Sequence, residues 1–173
     1  MHTSEILTLL IATGGLLLGV RAEWREHRRT KATLRVIPKV AYPVGPMPDS
    51  RPRLAFEIIN DGQIAVTVTE VGLFYQGTTS RGALTPILPG AAVWPHRLEP
   101  HSSIVAYTSP EALMDPMLRK AACAYVLTAT DKIFEGTSPA LRFVVNTGTI
   151  PAPPSSISRT GATGFVSITA FDE

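Results

Sequence analysis

Residues 54–74, LAFEIINDGQIAVTVTEVGLF, decide the fold class. Before Asn60, the side chains Leu54, Phe56 and Ile58 alternate with Ala55, Glu57 and Ile59. Beyond Gly62, Val66, Val68 and then Val71 or Leu73 alternate with Thr67, Thr69 and Gln76. A period of two is that of a half-buried strand, whose successive side chains point to opposite faces. The step Asn60-Asp61-Gly62 tolerates positive φ. The pattern predicts a β-hairpin.

The same reading extends outward. Ala32 to Val40 (ATLRVIPKV) predicts a first strand, with Pro38 pointing to a sheet edge. Residues 42–52 form a proline-rich loop, 77–82 a polar loop, and 84–94 a short strand region broken by prolines. Ile104 to Tyr107 and Ala121 to Thr130 read as strands, Asp131-Lys132 as a turn into Ile133 to Gly136, and Leu141 to Val145 as a last strand. One helix start stands out: Ser109 as a cap, Pro110 at the first helical position and Glu111 in the first turn. Leu113, Met114, Met117 and Leu118 give that helix an apolar side, Pro116 limits it, and Arg119 and Lys120 suit its C-terminal dipole. The expected fold is mainly β: an immunoglobulin-like antiparallel β-sandwich over 33–145, of about seven strands with one short helix.

Ahead of this domain lies a different kind of segment. Ile6 to Val20, ILTLLIATGGLLLGV, carries no charge, and Arg21, Arg25, Arg28, Arg29 and Lys31 follow it. Fifteen residues at a helical rise span roughly 22 Å, short of a bilayer core, so the flanks must contribute. With snorkelling arginines and Trp24 at the interface, residues 1–24 are expected to form a single transmembrane anchor. No Lys or Arg precedes the run, and seven of the sixteen basic residues fall between Arg21 and Lys39. That asymmetry predicts an N-terminus outside and a cytoplasmic domain, joined by a basic stalk at 25–32. The alternatives are export after signal-peptide cleavage near Ala22, which the absent basic n-region opposes, a buried core helix, and an interfacial helix. Gly15 and Gly19, four apart, offer a helix-packing face through which the chain is expected to homo-oligomerise.

Removing the anchor leaves about 140 residues, enough for one domain with a core. Residues 40–173 hold nine basic and eleven acidic side chains, which excludes a basic nucleic-acid footprint. A lone cysteine, Cys123, excludes a disulfide framework and fits a reducing compartment.

Three stretches carry a resemblance: Ile59 through Leu73, Leu88 through Pro100, and Tyr125 through Phe134. On these the chain resembles a loose class of small, uncharacterised bacterial membrane proteins that pair an N-terminal anchor with an immunoglobulin-like domain. The resemblance supports the fold and points to no particular function; a place in the bacterial inner membrane is expected from the anchor, and no enzymatic activity is expected.

No catalytic set, metal cluster or cofactor motif is legible. His96 and His101 flank Leu98-Glu99-Pro100 in a proline-bounded loop and are expected to touch a protein partner, not a metal. Cys123 reads as an inert thiol in an apolar strand. Residues 146–173 are rich in Gly, Pro, Ser and Thr, and regain β-character at 165–171. There Phe165, Ile168 and Phe171 mark a short strand that would add to a sheet edge, its own or a partner's. The functional expectation is a non-catalytic interaction module displayed on the bilayer; the alternative is a structural subunit of a larger membrane or envelope assembly.

Overall fold

A computed structural model describes residues 31–44, 51–78, 80–89, 92–151 and 164–168, with Thr13, Leu16 and Glu23 as helical positions ahead of them. Among the described residues no helix is long and apolar enough to cross a membrane. The expected anchor lies outside them apart from those helical positions.

The described chain is mainly β. Its strands are β1 (Leu34–Val44), β2 (Arg53–Asn60), β3 (Val66–Tyr75), β4 (Arg81–Leu84), β5 (His96–Leu98), β6 (Ser103–Tyr107), β7 (Ala121–Thr128), β8 (Ile133–Gly136) and β9 (Gly164–Ile168). They form two antiparallel sheets. One runs β6-β2-β1-β9; the other runs β4-β3-β7-β8, with β5 also paired to β3. Val36, Val40, Leu54, Phe56 and Ile58 from the first sheet join Val68, Val71, Leu73, Ala124 and Val126 from the second in one core. Each large apolar side chain buried this way stabilises the fold by about 1.5–3 kcal/mol.

The expected hairpin at Asn60 does not form. β2 pairs with β1 and β6, whereas β3 pairs with β4, β5 and β7, so the chain leaves one sheet at Asn60 and enters the other at Val66. Asn60 is fully buried and shows why. Its Nδ2 donates to the carbonyls of Ile64 (2.8 Å), Leu98 (3.2 Å) and Glu99 (3.1 Å). Its Oδ1 accepts the Gly62 N–H at 3.0 Å. The turn is thus tied to the segment after β5 instead of closing on itself. Alternation fixes which face a residue takes, not which strand lies beside it.

The expected last strand is a helix. Residues 141–145 fall inside α2 (Pro139–Thr147). Ser138 Oγ caps it by accepting the Leu141 N–H at 3.1 Å, and Pro139 opens the first turn. Gly148, at φ 64°, closes it in the left-handed conformation that favours glycine. Ala140, Leu141 and Val144 face the core on one side, so a helical cap overrides β-branched composition.

The helix after Ser109 is shorter than expected. α1 (Glu111–Met114) starts at Pro110 with no side-chain cap, and Ser109 does not serve as one. Pro116 then forces a 3-10 helix (Pro116–Lys120) capped by Asp115, whose carboxylate accepts the Met117 N–H at 2.8 Å. Leu113 and Leu118 are buried; Met114 and Met117 are not.

Pro38 sits on the part of β1 that, among the described residues, has a ladder partner only in β2, because the β9 ladder begins at Val40. There Ser138 Oγ donates to the Pro38 carbonyl at 2.5 Å. Beside it, β8 meets β1 backbone to backbone. A Cβ on Gly136 would fall 1.8 Å from the Val36 carbonyl oxygen, so only glycine permits this seam between the sheets.

Candidate functional site

The loop around His96 and His101 is held by structure. His96 lies on β5 opposite Val68. His101 is exposed, at φ 55°, in a turn closed by the Ser102 N–H donating to the Glu99 carbonyl at 3.3 Å. Pro100 followed by a left-handed residue is the pattern of a type II turn. The His101 Nε2 lies 3.2 Å from Gln63 Nε2, and Arg97 pairs with Glu99 at 3.0 Å. Beneath them Asn60 ties the loop to the β2–β3 crossover. The two histidines therefore stand at opposite ends of one hydrogen-bonded segment. Among the described residues no three His, Cys, Asp or Glu side chains gather to hold a metal.

The free flank of β1 is taken by β9. Val40 pairs with Ile168, Tyr42 with Val166 and Val44 with Gly164, antiparallel. Phe165 stands opposite Pro43. The C-terminal strand forms over 164–168 and lies along β1; Phe171 lies outside the described residues. The Tyr42 hydroxyl donates to the Pro151 carbonyl. The chain therefore passes beside β1 once at Pro151 and returns to it at Gly164. Burial pushes the Tyr42 phenol above its ordinary pKa.

The outer face of the second sheet carries a polar cluster. Ala124 and Val126 belong to the core and Tyr125 does not, yet Tyr125 is fully buried. Its ring lies over Gly72, where a Cβ would come within 2.8 Å of the phenol oxygen. The Phe74 ring packs against it at 4.7 Å, and the Arg81 guanidinium stands 5.7 Å from its centroid. Its hydroxyl donates to the Glu70 carboxylate, itself 3.8 Å from Arg81. Burial, then the Glu70 bond and charge, hold that phenol proton far above the usual range. Next to it, Cys123 Sγ lies 3.7 Å from Glu135. Burial, then that carboxylate, push the thiol up, which disfavours the nucleophilic thiolate.

A cleft of about 420 Å³ opens between the 3-10 helix and α2. Leu113, Met114, Leu118, Val144 and Ile150 wall it, with Asp115 and Arg119 among its lining. Such a groove mixes apolar side chains with two opposite charges, and sequence patterning gave no sign of it because α2 read as a strand.

The expected membrane-interface residues Arg21, Trp24, Arg25, Arg28 and Arg29, and the packing glycines Gly15 and Gly19, lie outside the described residues. Sequence reasoning missed Asn60 as the organiser of two loops, and missed the Tyr125–Glu70–Arg81 cluster. The signal for the first was present in Asn60-Asp61-Gly62; for the second, Gly72 and Tyr125 become meaningful only once β3 and β7 pair. Comparison with protein-family models, curated proteins and solved structures returns no match, so function is argued from this chain's own residues.

Proposed function

We propose that this chain is a membrane-anchored, non-catalytic protein-interaction module, with an immunoglobulin-like sandwich held at the cytoplasmic face of the bacterial inner membrane. The strand order supports that fold. β1, β2 and β6 in one sheet and β4, β3, β7 and β8 in the other, with a β2–β3 crossover between the sheets, support an immunoglobulin-like reading, to which β9 and β5 are additions. Ile6–Val20 and the arginines after it supply the anchor and its orientation.

The observation that carries the interaction reading is the β1–β9 ladder. The first sheet accepts a separately tethered five-residue strand along an otherwise open flank, which is the geometry of strand addition. Anchoring confines that module to two dimensions and raises its effective concentration for membrane partners.

The test is topology. Protease added to intact cells should leave the domain whole, protease added to inverted vesicles should digest it, and removing residues 6–20 should release it to the soluble fraction. Digestion from outside the cell would overturn the orientation. A full chain recovered in the soluble fraction would overturn the anchor. A second reading, a structural subunit of a membrane or envelope assembly, is favoured by the same ladder if the strand is donated between chains.

A further inference from the structure

We infer that β9 is exchanged between two copies of this chain, each donating residues 164–168 to the β1 flank of the other. The inference deepens the interaction reading by naming its partner, and takes from that reading only the local concentration a membrane supplies.

Pro151 is fastened beside β1 by the Tyr42 hydroxyl, and Gly164 returns to the same strand opposite Val44. Tyr42 and Val44 are two residues apart, about 7 Å along a strand, and Pro151 stands off from β1 by the length of the Tyr42 side chain. Closing the chain onto its own β1 therefore needs only a short connection. The sequence provides twelve residues, 152–163, with a reach of up to about 40 Å. A domain of about 140 residues has a radius of gyration near 14 Å. The connection is thus longer than the gap it closes and long enough to reach a neighbouring domain.

The strand itself suits exchange. Gly164-Phe165-Val166-Ser167-Ile168 carries no charge and no proline, the two devices that keep an edge strand from pairing elsewhere. Its ladder spans five residue pairs on β1 alone, and an identical β1 in a second copy offers the same register. Bonds made within one chain and between two are the same bonds, so the balance follows effective concentration, millimolar for a short tether. Two anchored copies packed through Gly15 and Gly19 would meet at that density. A two-fold exchange is closed and stops at the dimer.

Opposed residues in an antiparallel pair have Cα atoms about 4.5–5.5 Å apart, within disulfide range. Ala41 and Ser167 are such a pair. Two full-length chains with different tags, both carrying Cys123→Ser, are co-expressed: one with Ala41→Cys, the other with Ser167→Cys. Under oxidation a reducible heterodimer carrying both tags is expected. Deleting residues 154–160 leaves five connecting residues, with a reach of about 17 Å, enough within one chain and too few between two. The heterodimer should then fall by about tenfold or more. A single chain with both cysteines should still cross-link internally. Internal cross-linking with no heterodimer in the full-length pair would overturn the exchange, as would a heterodimer indifferent to the deletion, or no cross-link of either kind. Fractionating the same cells reads the anchor separately: a soluble chain that still forms the heterodimer sinks the membrane reading and leaves the exchange standing.

Discussion

Asn60 concentrates more structure than any other single side chain described. One amide serves three carbonyls from two segments while its oxygen accepts the Gly62 N–H. Asn60→Ala leaves these buried groups without partners, and a loss of about 2–3 kcal/mol is expected, read as a lowered urea midpoint. Asn60→Asp keeps the acceptor but removes all three donations and buries a charge, so it should cost more. His101 works the other way. Its φ of 55° is unfavourable for any side chain, and Asn60 below already fixes the loop. His101→Gly should leave stability unchanged or raise the melting temperature by a few degrees; a clear fall would show that the Gln63 contact outweighs the backbone strain. Both residues stand out in the sequence, one before a turn-forming pair and one after a proline. What the sequence omits is the partner: the carbonyls of Leu98 and Glu99 are some forty positions away, and no local pattern announces them.

At the level of elements, faces were legible and neighbours were not. Leu54, Phe56 and Ile58, like Val66 and Val68, are buried as alternation predicts. Yet the two runs belong to different sheets, because a period of two is satisfied equally by a hairpin and by a crossover. Leu141 to Val145 failed differently. Ser138 and Pro139 form the same cap-and-proline signature recognised at Ser109, and there it governs a true nine-residue helix, whereas at Ser109 it heads only one turn. Two variants test how elements join. Gly136→Ala must push β8 off the Val36 carbonyl and should lower the melting temperature well beyond the roughly 1 kcal/mol typical of a substitution. Removing residues 164–173 uncovers the β1 flank; the chain should melt several degrees lower and self-associate, and an unchanged melt would mean that β9 adds nothing to the sheet.

For the whole molecule, the tyrosines set a limit at high pH. Its four tyrosines, Tyr42, Tyr75, Tyr107 and Tyr125, all have pKa values raised, chiefly by burial. A proton held more tightly when folded is a stabilising contribution that is complete below the unfolded value near 10. It is lost as pH climbs from about 10 through the folded values. Denaturation midpoints should therefore be flat between pH 8 and 9.5 with respect to these groups and fall above it, and Tyr125→Phe should make the fall shallower. The crossover at Asn60 also bears on how fast this molecule assembles. Strand β2 finds β6 across some fifty residues, and β3 finds β7 across a similar span, as in Ile58↔Ile104 and Val71↔Val126. A turn that sends its two flanking strands to opposite sheets makes no ladder of its own, and local pairing is left to β1–β2, β3–β4 and β7–β8. Joining these pairs into complete sheets must await the distant β2–β6 and β3–β7 contacts, so refolding should be slow, on the millisecond-to-second scale of high contact order.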